Sequence, residues 1–149
     1  SQNKLHYGKV LTTLLAARIR LAYQDCGLPD LLVPVPLHPD KLRARGYNQA
    51  LLIARQLGHT FGIPCTTNLV HRIRDTPPQQ GLRAVARRRN LRGAFAVTVQ
   101  PELPAADTLT IALADDVVTT MTTVSTLAKI LRSSLSVAPE IHVWPLARA

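Results

Sequence analysis

Apolar residues along the chain fall into two kinds of pattern. From Lys4 to Tyr23, Leu5, Val10, Leu11, Leu14, Leu15, Ala17, Leu21 and Ala22 recur among polar residues at roughly helical spacing, which predicts an amphipathic helix. Tyr47 to His59 repeats that spacing through Ala50, Leu51, Ala54 and Leu57, with Gly58 and Gly62 available to end it. A third helix is expected over Thr123 to Leu135. Between them lie short, uniformly apolar runs, "LLV" at 31–33 and "LTIALA" at 109–114, the composition of strands buried on both faces of a sheet. "AFAVTV" and "EIHVWPLA" predict two more strands, and Cys65 to Val70 a weaker one. "GLPD" and "PELPAAD" punctuate, and "PVPLHPDKLRARG" at 34–46, with three prolines within six positions, is expected to be a loop. Strands alternating with helices of this length predict an α/β fold, a mostly parallel sheet flanked by helices on both faces. Ligands bind such sheets beyond the carboxyl ends of the strands, so the segments after residues 33 and 114 matter most.

The length of 149 residues and an apolar fraction of 46% suit one domain with an ordinary core, and 1–149 is expected to be a single domain. No apolar run approaches the ~20 residues of a membrane helix, and no secretory pattern opens the chain, so no membrane insertion and a cytoplasmic location are expected. Cys26 and Cys65 stand far apart and outside any CxxC pair, which predicts reduced, packed thiols rather than a disulfide or a zinc site. His38, His59, His71 and His142 occur singly, without metal-ligand spacing, and Trp144 is expected in the core.

Charge changes the picture more. The net charge is +9, arginines outnumber lysines by fourteen to four, and residues 41–92 hold eleven basic side chains against Asp75 alone. That composition favours bidentate recognition of phosphate and predicts a polyanionic partner on one electropositive face. Few aromatic residues interleave the arginines, so phosphate-backbone contacts are expected rather than base stacking.

The stretch "IALADDVVTTMTTVSTLAKIL" places Asp115 and Asp116 between a buried strand and a helix. A helix N-terminus offers unpaired N–H groups and the positive end of a dipole, and Thr119, Thr120, Thr122 and Thr123 add hydroxyl donors around it, which together suit a phosphate. The aspartates repel a phosphate and must meet hydroxyl groups or a hydrated cation. A ribose 5-phosphate presents both partners a few ångströms apart.

"IALADDVVTTMTT" resembles the 5-phosphoribosyl-1-pyrophosphate (PRPP) motif of type I phosphoribosyltransferases. "LLVPVPLHPDKLRARGYNQALLIARQL" and "RIRDTPPQQGLRAVARRRNLRGAF" preceding it in this order resemble the ComF family, which includes GntX-like proteins, over roughly Leu5 to Arg148. The resemblance implies a type I phosphoribosyltransferase-like fold, with Asp115 and Asp116 at the ribose hydroxyls and Thr119 to Thr123 around the 5′-phosphate. Mg²⁺ with PRPP would be the cofactor, and no zinc is expected, because the four-cysteine module that usually opens the family is not in this sequence. The segment from Val35 to Arg43 corresponds to the pyrophosphate loop, with Pro36 and Leu37 in it and Lys41, Arg43 and Arg45 as counter-charges. Arg72, Arg74, Arg83, Arg87, Arg88, Arg89, Asn90 and Arg92 belong to an arm corresponding to the flexible loop, or to a nucleic-acid contact. Tyr47, in the signature "RGYNQ", either packs on its helix or touches ligand. At the position the motif gives to glycine stands Met121, where a Cβ would crowd the cradle and a positive φ would strain the backbone.

The implied function is PRPP or related phosphate binding in single-stranded DNA uptake during natural transformation. A working phosphoribosyltransferase acting on an amine or base is the alternative, and Met121 counts against it. A third reading is an interaction subunit whose basic face docks an acidic competence protein such as a helicase.

Overall fold

The computed structural model describes residues 2–74, 93–98, 107–118 and 121–149. Along the chain the elements are α1 (Gln2–Ala22), β1 (Leu31–Pro34), α2 (Pro39–Arg45), α3 (Gln49–Phe61), β2 (Val70–Arg72), β3 (Phe95–Val97), β4 (Thr110–Val118), α4 (Thr122–Ser134) and β5 (Glu140–Arg148). β1, β4 and β5 form a parallel sheet in the order β1-β4-β5, with Leu31 beside Ile111 and Ile111 beside Ile141. β4 is therefore hydrogen-bonded on both edges, which is why its first half has no polar side chain beyond Thr110.

Side chains alternate across this sheet. Leu31, Val33, Ile111 and Leu113 point to one face, where they pack on Val124, Leu127 and Leu131 of α4 and on Phe95. Leu32, Ala112, Ala114 and Trp144 point to the other, against Ile53, Ala54 and Leu57 of α3 and Ala16 and Ile19 of α1. Trp144 lies in the core as its sequence context predicts, and its indole N–H donates to Tyr23 Oη at 3.1 Å. The opposite side of α1 carries no cover from the described residues, and Tyr7, Val10, Leu14 and Leu21 are exposed there.

Three elements differ from the sequence expectation. The "PVPLHPDKLRARG" segment begins in β1, where Pro34 pairs beside Ala114, and is a loop only as far as His38, after which Pro39 opens the helix α2. Proline at the first helical position gives up an N–H that had no partner there, the His38 ring accepts from Asp40 N–H at 3.2 Å, and Gly46 ends the turn at φ 84°. The expected strand from Cys65 to Val70 divides into a single parallel bridge, Cys65 beside Leu32, and the short β2. β2 pairs antiparallel with β3 as a separate two-stranded sheet. Within α3, Gly58 is interior rather than terminal, and a Cβ there would meet the Ile63 carbonyl oxygen at 2.8 Å. Gly62, at φ 66°, closes that helix.

A candidate ligand cleft at the end of the central strand

The acid pair lies inside β4 and not in the turn after it. The ladder to β5 runs on through Asp115 beside Pro145 and Val118 beside Arg148, so both carboxylates extend from a fixed strand end and are half-buried. Asp115 Oδ1 accepts from Asp116 N–H at 2.9 Å, and Asp116 Oδ1 accepts from Val117 N–H at 2.8 Å. Burial, then the hydrogen bond and negative charge of Asp116, push the Asp115 carboxyl up to about 7 against the partial relief of that backbone N–H. Such a carboxylate favours a hydroxyl donor or a cation, either of which would restore the ionised form.

A cleft of about 180 Å³ opens at this strand end. Asp115, Asp116 and Thr123 line one side, and Pro36, Leu37, Arg45 and Asn48 line another, with Arg72 from β2. Register explains why these distant segments meet. Val35 N–H donates to the Ala114 carbonyl at 2.9 Å, prolonging the β1–β4 ladder by one residue and setting the next two residues beside the acids. Asn48 then ties α3 to the same loop: its Nδ2 donates to the Val35 carbonyl at 3.3 Å while its Oδ1 accepts from Ala50 N–H at 3.0 Å. The sequence reading places Asn48 in a signature but not in the site. Its signal is an N-cap residue directly before a helical apolar period.

Of the residues singled out from sequence, Pro36, Leu37, Arg45, Arg72, Asp115, Asp116 and Thr123 line this cleft. Thr122, in the first turn of α4, lies beside Thr123 and is half-buried. Lys41 and Arg43 sit on α2 away from the lining, Arg43 exposed and bonded to Asp40, whose carboxyl it holds below the usual range. Arg74 is exposed just past β2, and Tyr47 is half-buried in the turn between α2 and α3, off the lining. Thr119, Thr120, Arg83, Arg87, Arg88, Arg89, Asn90 and Arg92 lie outside the described residues.

Met121 does not crowd the acids. Its φ is −74° and ψ 6°, ordinary right-handed values that need no glycine, and it stands before α4 as the N-cap residue. It is 44% exposed, and its side chain lines a different groove, beside Val124, Lys129 and Val143.

Three of the histidines singled out from sequence have structural partners. His38 caps α2, His71 Nε2 meets the Asn68 carbonyl at 3.1 Å, and His142 joins Tyr23 to Glu140, its Nε2 lying 2.8 Å from Glu140 Oε1. Cys65 is half-buried, with burial pushing its thiol up, whereas Cys26 is exposed, contrary to the packed thiol expected, because it follows α1 in a solvent-facing turn. Among the described residues no three His, Cys, Asp or Glu side chains gather to hold a metal, and no helix is long and apolar enough to cross a membrane.

No protein-family model matches the chain. Individual relatives do. It is 41% identical to competence protein F of Haemophilus influenzae over 99% of its own length and 64% of that protein's. It is 36% identical to the DNA utilization protein YhgH of Salmonella typhi, over 93% of this chain and 59% of that one. The chain thus spans about three fifths of the length of these curated relatives. Among solved structures, a purine phosphoribosyltransferase from Pyrococcus horikoshii superposes with a TM-score of 0.53 at 16% identity, covering 95% of this chain and 82% of that one, a likeness of fold. Over its own length the chain is therefore similar to competence protein F (ComF) proteins, and it carries a type I phosphoribosyltransferase fold.

Proposed function

We propose that the cleft binds the phosphoribosyl group of PRPP or a related sugar phosphate, and that the protein uses this fold in handling single-stranded DNA during DNA uptake. The observation that carries the first part is the convergence of Asp115, Asp116 and Thr123 with the Pro36–Leu37 loop and Arg45 in one cleft. In it the two carboxylates accept hydrogen bonds from vicinal ribose hydroxyls. The first turn of α4, with no acidic side chain and with the Thr122 and Thr123 hydroxyls, receives the 5′-phosphate. Arg45 and Arg72 balance a further phosphate at the other wall. The ordinary backbone angles at Met121 support the reading, because a residue with a Cβ adopts them without strain.

Mg²⁺ fits the same donor set when it arrives with PRPP, since that cation keeps most of its water and needs only one or two carboxylates. It would neutralise charge on the pyrophosphate. The DNA part rests on the names of the relatives and on the +9 charge with its arginine excess. A catalytic reading, phosphoribosyl transfer to an amine or base, is favoured by the same carboxylates. Such transfer relies on positioning and electrostatics and calls for no nucleophile from the protein.

Calorimetry with Mg-PRPP and with ribose 5-phosphate tests the proposal. Both should bind, and Asp115→Asn with Asp116→Asn should lower affinity at least about tenfold, a loss of ~1.4 kcal/mol or more. Absence of heat with either ligand in the unmodified protein rejects it.

A further inference from the structure

Helix α1 meets the rest of the protein along one stripe, with Thr12, Ala16 and Ile19 buried. A second apolar stripe runs down its other side. Tyr7, Val10, Leu14, Ala17 and Leu21 follow one another at steps of three, four, three and four residues, and all are exposed, Leu14 at 59% and Leu21 at 69%. Single exposed apolar residues are ordinary on a protein surface, whereas a sustained three-four alternation is the seam along which one helix packs on another. From Tyr7 to Leu21 the seam is about 21 Å long, room for roughly four turns of a partner helix. Its flanking positions carry Lys4, Leu11 and Arg18 on one side and His6, Thr13 and Arg20 on the other, and α1 has no acidic side chain. The Arg20 guanidinium lies 5.4 Å from the centre of the Phe61 ring, a contact that holds it beside the seam.

We infer that this seam docks an acidic amphipathic helix of a protein partner, with apolar residues in heptad register and glutamate or aspartate at the flanks, facing Lys4, Arg18 and Arg20. None of the seam residues lines the acid-pair cleft, so the inference stands apart from the sugar-phosphate reading. Charge decides among the occupants. A second copy of this chain would bring the same basic, acid-free helix against itself, within a molecule of net charge +9. An anionic lipid surface calls for a broad apolar face, and this stripe is one or two side chains wide. An acidic helix satisfies both features, burying its apolar residues on the seam and pairing its carboxylates with the flanking cations.

The probe is a fluorescent helical peptide with leucine at its heptad seam and glutamate at the flanking positions, titrated by anisotropy. Two controls accompany it, the same peptide with lysine at the flanks and a scrambled peptide of the glutamate composition. The glutamate peptide should bind at least about tenfold more tightly than either control. Leu14→Ser, at an exposed position, should remove at least that tenfold, and Arg18→Glu should shift preference towards the lysine peptide. Circular dichroism checks that both variants fold. No binding of the glutamate peptide, equal binding of the scrambled one, or affinity that survives Leu14→Ser overturns the inference. A dimer in sedimentation that Leu14→Ser dissolves would give the seam to a second copy, and pelleting with phosphatidylglycerol vesicles that Leu14→Ser abolishes would give it to lipid. Either result also overturns it.

Discussion

Asp115 is held at a cost. Its carboxyl titrates at about 7 against an ordinary 3.8, so the neutral form is favoured by the fold and ionisation is opposed by burial and by Asp116. A raised carboxyl value contributes stability that is complete below the unfolded value and is lost as pH rises through the folded one. Asp115→Asn should therefore raise the melting temperature at pH 8, by a gain of at most about 4 kcal/mol, and the gain should vanish near pH 4. Thermal melts across that range check it, and an equal Tm difference at both pH values would contradict it. Ligand affinity should move oppositely, rising from pH 6 to pH 8 as the carboxylate forms. Met121→Gly should change affinity for ribose 5-phosphate by less than about threefold, because φ at that residue is −74° and its side chain lies in another groove. Asp115, Asp116 and Thr123, which line the cleft, are singled out by residue chemistry, whereas Thr119 and Thr120 lie outside the described residues. The consequence of Met121 is not legible, because it depends on one backbone angle and one side-chain direction.

The elements reveal a different limit. β1 and the first half of β4 are read from uniform apolar runs, which burial on both sheet faces imposes, and α4 from its helical spacing. α2 escapes such reading because a proline that stops a strand also starts a helix, and seven residues give too short a period to declare themselves. β2 and β3 are three residues each, short of a full alternation. Asn48 connects the two scales by capping α3 and holding the Val35 carbonyl. Asn48→Ala should cost about 1 to 2 kcal/mol in denaturant unfolding and also weaken ribose 5-phosphate binding, because the loop beside the acids loses its tether. A stability loss without an affinity loss would mean that the loop is held by other contacts.

At the scale of the whole molecule, topology assembles the site. The order β1-β4-β5 sets the end of β1 beside the end of β4, and so brings residues 36–37 to residues 115–116 across nearly eighty positions of sequence. Strand order of this kind is not written in hydropathy, and the cleft's membership follows from it. The charge excess is legible from composition, and it leads to a measurable expectation: fluorescence anisotropy should show single-stranded DNA binding that weakens steeply with salt. Contact with about five phosphates predicts a slope near −3.5 in log affinity against log salt; a flat dependence would remove backbone phosphate as the partner.

The most direct measurement is a crystal structure of the protein with ribose 5-phosphate or Mg-PRPP bound. The account predicts ribose hydroxyls within about 2.6 to 3.2 Å of the Asp115 and Asp116 carboxylates, with the 5′-phosphate on the first turn of α4. A ligand seated elsewhere, or no ligand in the cleft at saturating concentration, would contradict it.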